Sequence, residues 1–157
     1  MLILKFDLAF KYDYKNEYSL LKSKNLQLCK YRFGDVFEKV KMIKTFDISK
    51  CTNNGNIPLF DSGKDLNVIK NINDYSYINE NNDLLLALTF NGLCNPIKYK
   101  TFAIVGHNHL IIMKSNIQID LDINSKVIQL QLKHLFDFNE MLTYDKVKDV
   151  NIYLYLN

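Results

Sequence analysis

The sequence predicts an all-β fold, an antiparallel β-sandwich or jelly-roll/barrel in a single domain with room for a minor helix. Three observations carry that expectation. From Leu2 to Tyr14 the even positions are Leu2, Leu4, Phe6, Leu8, Phe10, Tyr12 and Tyr14, against Lys5, Asp7, Lys11 and Asp13 on the odd side. A side-chain period of two marks a strand with one buried and one wet face. Ile117, Ile119, Leu121 and Ile123 repeat the pattern against Gln118, Asp120 and Asp122, and Ile128, Leu130 and Leu132 repeat it against Gln129, Gln131 and Lys133. The chain finishes on "VNIYLYLN", which alternates again.

Taken in order, Leu2–Tyr14 would reach about 40 Å at about 3.3 Å per residue, so this strand is expected to bend or change sheet. Lys15–Asn25 is polar, with space for one helical turn after Asn16, and "NLQLCKYRF" resumes strand character to Phe33. "GDVFEKVKMIK" fits two templates. Asp35 and Glu38 match a capping box and Val36, Val40 and Ile43 fall near helical spacing, whereas Val40, Met42, Phe46 and Ile48 alternate. Strand is the reading from Lys39 onwards.

Residues 49–83 are asparagine-rich and read as a long irregular excursion with a short helix after Asp65; segments of that length usually serve function or interaction. The second half reads as a meander. Leu84–Phe90 is a strand, "NGLCNP" a turn and Ile97–Val105 the next strand, with Thr101–Val105 pairing back on Leu110–Lys114. Asn124-Ser125 falls where a two-residue hairpin turn belongs between 117–123 and 128–133. With neither repeat nor linker, residues 1–157 are taken as one β-rich domain.

Composition bounds the function. Hydrophobic residues make up 48% and charged residues 24% of 157, a globular balance. Twenty basic against 17 acidic residues leave a net charge of +3, which sets nucleic acid aside as a partner by the usual charge criterion. Arg32 is the sole arginine and tryptophan is absent, while Lys, Asn, Ile, Tyr and Phe abound. That bias looks like AT-rich coding, as in many viruses, phages, mollicutes and some parasites. Lys5 and Asp7 interrupt any signal-peptide core, and no apolar run approaches the ~20 residues that span a bilayer. A cytoplasmic or intracellular location is expected, with a virion or assembled particle compatible.

The chemistry-bearing residues are few. Cys29, Cys51 and Cys94 are odd in number and lack metal or disulfide spacing, so packed thiols are expected. The stretch "TFAIVGHNHLIIMK" holds His107 and His109, and HxH is similar to the spacing that opens cupin-type metal sites, although the glycines and following glutamate of that family are missing. In the predicted ladder His134 lies opposite Ser115, about 20 Å from His109, too far to share one metal. The same register places Glu140 opposite His109. A His107/His109/Glu140 metal site therefore survives as a candidate, against the simpler reading of Gly106–His109 as a tight turn. No catalytic motif and no cofactor is expected.

Tyrosines interleaved with lysines in "KYDYKNEY" could stack on bases, but Tyr12 and Tyr14 also continue the buried face of the first strand. Strand character from Leu2 to Leu156, aromatic edge strands and the long excursion together suggest a subunit held by neighbours. The expected function is thus a non-catalytic structural or interaction protein working through protein–protein contact, as a self-associating homo-oligomer of virus- or phage-like origin. The alternative is a β-barrel or cupin-like enzyme or carrier for a small ligand or metal.

Overall fold

The computed structural model describes residues 9–61, 66–106, 110–136 and 141–157. Residues 9–13 are helical and lead into α1 (Lys15–Ser23), β1 (Gln27–Arg32), the single turn α2 (Phe33–Val36) and β2 (Phe37–Lys39). A 3₁₀ turn at Ile48–Lys50 precedes β3 (Ile57–Asp61), β4 (Asn67–Ile72) and β5 (Tyr77–Ile78). There follow β6 (Leu85–Thr89), β7 (Cys94–Ile97), β8 (Thr101–Ile104) and β9 (Leu110–Ser115), then the long helix α3 (Leu121–Leu135), the turn α4 (Tyr144–Val147) and β10 (Asn151–Leu156).

The strands form three sheets, ordered β1-β10, β2-β9-β6-β7 and β4-β3-β8-β5. β6 explains the layering. All five residues of Leu85–Thr89 are buried. Leu86 and Leu88 enter a core cluster with Phe37, Met113, Ile128 and Leu132, whereas Leu85 and Ala87 face Phe60, Phe102 and Ile104 of the other four-stranded sheet. A strand covered on both faces needs apolar residues at consecutive positions, not alternate ones. The sheet β2-β9-β6-β7 therefore lies between the sheet β4-β3-β8-β5 on one side and α3 with β10 on the other. Pro96 is accommodated because β7 is an edge strand, where a missing N–H breaks no ladder.

Helix α3 replaces the hairpin that the sequence suggested. Asp120 caps it, accepting from the Ile123 N–H at 3.1 Å. Ile128 and Leu132 pack into the first cluster, while Ile123, Val127 and Leu130 pack on Phe10, Leu21 and Tyr155. The helix is buried on two sides, so Ile128, Leu130 and Leu132 are all apolar and imitate a strand. Asn124, read as a turn residue, is fully buried. Its Nδ2 donates to the Tyr155 carbonyl at 2.9 Å and its Oδ1 accepts the Tyr155 N–H at 2.8 Å. Two turns on, Gln131 does the same for Tyr153, donating and accepting at 2.7 Å.

The all-β sandwich or jelly-roll expectation is thus corrected to a mixed α/β fold. In the N-terminal stretch, residues 9–13 are helical, not extended, and residues 1–8 lie outside the described residues. Phe10 is buried and Tyr12 is 82% exposed, which a one-faced strand forbids and a helix dictates. The predicted strand Ile97–Val105 shortens to β8, while the predicted turn "NGLCNP" holds most of β7, which belongs to a different sheet. β8 pairs in parallel with β3 and antiparallel with β5, and β9 pairs with β2 and β6, so Thr101–Val105 and Leu110–Lys114 are not a hairpin. The asparagine-rich excursion contains the β3–β4 hairpin and β5, with residues 62–65 outside the described residues. Asn79 closes its end by bonding both the N–H and the carbonyl of Asp83 at 2.9 Å. Among the described residues no helix is long and apolar enough to cross a membrane.

Asn124→Ala strands a buried N–H and a buried carbonyl of Tyr155, and unfolding in urea is expected to show a loss of about 2–4 kcal/mol. The exposed Lys133→Ala is expected to stay within about 0.5 kcal/mol. Burial raises the Asp120 carboxyl, but Lys24 at 2.6 Å and the N–H groups of Ile123 and Asp122 outweigh it and hold the group below its ordinary 3.8. A depressed carboxylate stabilises the fold above its unfolded value and loses that contribution as pH falls through the folded one. Denaturation followed from pH 6 down to about pH 2 is expected to show a shallower acid loss in Asp120→Asn than in the parent chain.

Candidate nucleic-acid interface

The segment after β2 joins the two four-stranded sheets. The Val40 N–H donates to the Ile112 carbonyl at 2.8 Å, continuing the β2–β9 ladder by one residue. At Ile43 the chain bends, its N–H donating to the Ser76 carbonyl at 2.9 Å. By Phe46 it has reached the other sheet, where the Phe46 N–H meets the Ile104 carbonyl at 3.0 Å and Phe46 bridges to Val105 in parallel. Gly106 makes that crossing possible. Its N–H donates to the Phe46 carbonyl at 3.0 Å, and a Cβ on it would collide with the Thr45 side chain.

Beneath this crossing lies a cleft of about 640 Å³, lined by Lys39, Lys41, Thr45, Gly106, Leu110 and Thr143 among others. Its electrostatics follow from the strand period. Val40 and Met42 are half-buried against the inter-sheet core, which leaves Lys39 and Lys41 exposed. Among the described residues no carboxylate lines the cleft, and neither lysine has an ion-pair partner. Lys44, further along, is paired with Asp74 and lies 5.6 Å from the centre of the Phe46 ring. The hydrogen bond from Lys44, with a second from the Tyr75 N–H, holds the Asp74 carboxyl below its ordinary range. On the far wall the Tyr144 hydroxyl donates to the Phe37 carbonyl at 2.7 Å and fixes the start of β2. Two other depressions mix cations with acids: Lys98 and Lys100 with Asp83 in one, Lys24 with Asp120 in the other.

His107, His109 and Glu140 lie outside the described residues, although Gly106 and Leu110, which bracket the two histidines, line the cleft. Among the described residues no three His, Cys, Asp or Glu side chains gather as metal ligands. His134 is exposed on the last turn of α3, not paired opposite Ser115. Cys94 is buried and burial pushes its thiol up to about 12, while Cys29 and Cys51 are half-buried. Lys39 and Lys41 were missed as site residues because lysines alternating with Val40 and Met42 read as an ordinary wet face.

No protein-family model and no curated protein matches the chain. Solved structures do. An S subunit of a type I restriction–modification system from M. genitalium matches 92% of this chain with a TM-score of 0.52 and 14% identity. The HsdS subunit from Thermoanaerobacter tengcongensis matches 97% with a TM-score of 0.55 and 12% identity. The chain shares its fold with part of an S subunit. It spans 37% of the first and 41% of the second, less than half of either.

This likeness overturns the expectation that set nucleic acid aside. One neighbour is the S subunit of a restriction–modification system and the other an HsdS subunit. A net charge of +3 summed over the chain does not report where the cations stand.

A buried thiol with so high a value offers almost no thiolate for reaction. With Ellman's reagent, Cys94 is expected to react only after denaturation, so Cys94→Ser should lower the thiol count of the unfolded protein and leave the native count unchanged.

Proposed function

We propose that this chain is a non-catalytic DNA-contacting module that meets duplex DNA along the Lys39–Thr45 side of the cleft. The observation that carries the reading is the fold, matched over nearly the whole chain to parts of two restriction–modification S subunits. Restriction and modification are both chemistry on DNA, and a subunit lacking its own reaction centre can still serve them by holding the duplex. The cleft supports the same reading. Lys39 and Lys41 stand on one face of an extended segment, about 6–7 Å apart by strand geometry, a separation close to that of neighbouring phosphates along a strand. Neither is neutralised by a carboxylate among the described residues. Self-association and a viral or phage origin form no part of this reading.

Phosphate contacts make binding depend on salt, because each neutralised phosphate releases condensed counterions. Fluorescence anisotropy with duplexes drawn from a randomised pool is expected to show binding at low salt, at micromolar protein or tighter, that weakens as salt rises. In Lys39→Ala/Lys41→Ala the slope of log affinity against log salt is expected to fall by about two, one per lost phosphate contact. Absence of binding at low salt overturns the proposal.

A further inference from the structure

Ile43 departs from the pattern around it. The half-buried positions Val40, Met42, Phe46 and Ile48 turn apolar groups inward, yet Ile43 is 70% exposed, the most exposed large aliphatic side chain among the described residues. It stands at the apex of the bend, between Lys41 and Lys44, beside the cleft. The main chain on either side is held. The Ile43 N–H is bonded to Ser76, which is itself buried and accepts the Ile104 N–H on its hydroxyl at 2.8 Å. Three residues later the backbone is tied to Ile104. A β-branched side chain has little χ1 freedom, so on this backbone it is presented outward in a nearly fixed direction.

A rigid aliphatic group beside cations meets DNA through apolar contact, either wedged between base steps or laid on an apolar group in a groove. It makes no hydrogen bond, so it cannot read the donors and acceptors on base edges. The apolar group that the major groove presents is the C5 methyl of thymine. Resting on the DNA reading above, we propose that Ile43 is a specificity-determining residue that covers the methyl group of a thymine in the major groove while Lys39 and Lys41 hold the adjacent phosphates.

The test uses duplexes selected from a randomised pool by the full chain, then resynthesised with deoxyuridine in place of each thymine in turn, which removes only the methyl. The expected result is one position where the replacement weakens binding about fourfold, the equivalent of one buried methyl group. Ile43→Ala is expected to lose that sensitivity while keeping the salt dependence and melting temperature of the parent. If the parent chain binds no duplex, this inference and the proposed function both fall. If it binds but is indifferent to deoxyuridine at every position, or if Ile43→Ala discriminates as the parent does, the inference alone is overturned.

Discussion

The structure depends on carboxamide side chains of α3 taking the place of a β-strand. β10 has β1 along one edge, in the register Cys29 to Leu154. Its other edge, at Tyr153 and Tyr155, would bury unpaired N–H and carbonyl groups at a cost of about 1–3 kcal/mol each. Asn124 and Gln131 satisfy all four, each amide offering one donor and one acceptor as a neighbouring strand would. A third amide, Gln129, accepts the N–H of Cys94 on β7 at 3.0 Å and donates to the Tyr14 hydroxyl at 3.0 Å. The same helix therefore closes the edges of two sheets and ties the N-terminal helical segment to them. A two-stranded ribbon such as β1–β10 is marginal alone, and this arrangement gives it the third partner it lacks.

The cleft inherits its geometry from that frame. Ile152 and Leu154, on the alternate residues of β10, reach the cluster that contains Phe37, Ile111 and Met113. The position of β10 thus sets the sheet from which the Lys39–Phe46 segment departs. Tyr144 adds a direct tether to the Phe37 carbonyl. At the far end Ser76 and Ile104 fix where the segment lands. Lys39 and Lys41 sit on a bridge anchored at both ends, so their spacing is a property of the fold rather than of a free loop. Side chains placed on such supports lose less freedom on contact than those on a mobile tip.

The sequence was informative where burial was simple and misleading where it was not. Leu85–Thr89 and Asn151–Leu156 read correctly as strands. In the N-terminal stretch Phe10, Tyr14 and Tyr18 are spaced by four, and positions four apart are also even positions, so one set of residues satisfied both periods. Only the exposure of Tyr12, invisible in sequence, separates the two. Across 121–135 two buried faces of one helix filled the alternate positions, and Asn124, whose amide belongs to β10, passed for a turn. Gln129 and Gln131 looked like a wet face because nothing local distinguishes an amide bonded to solvent from one bonded to a strand edge. As for the cleft, Val40 and Met42 marked the extended segment, but the bare charge of Lys39 and Lys41 became evident only from what surrounds them.

Net charge misled for the same reason. Several of the described acids are paired elsewhere on the surface, Asp120 with Lys24, Asp149 with Arg32, Glu17 with Lys126, Asp122 with Lys98 and Asp145 with Lys148, and Glu38, next to Lys39, is paired with Lys114. The more exposed of them, such as Arg32–Asp149 and Lys98–Asp122, contribute little to stability. Their larger effect is on distribution, since each cancels a cation at its own position and, among the described residues, Lys39 and Lys41 stay uncancelled at theirs. Charges farther apart than about 8 Å are largely screened at physiological ionic strength. An exposed anion therefore responds to the charges beside it and hardly at all to carboxylates on other faces. A chain with 20 basic and 17 acidic residues can look nearly neutral as a whole and still be cationic along one edge.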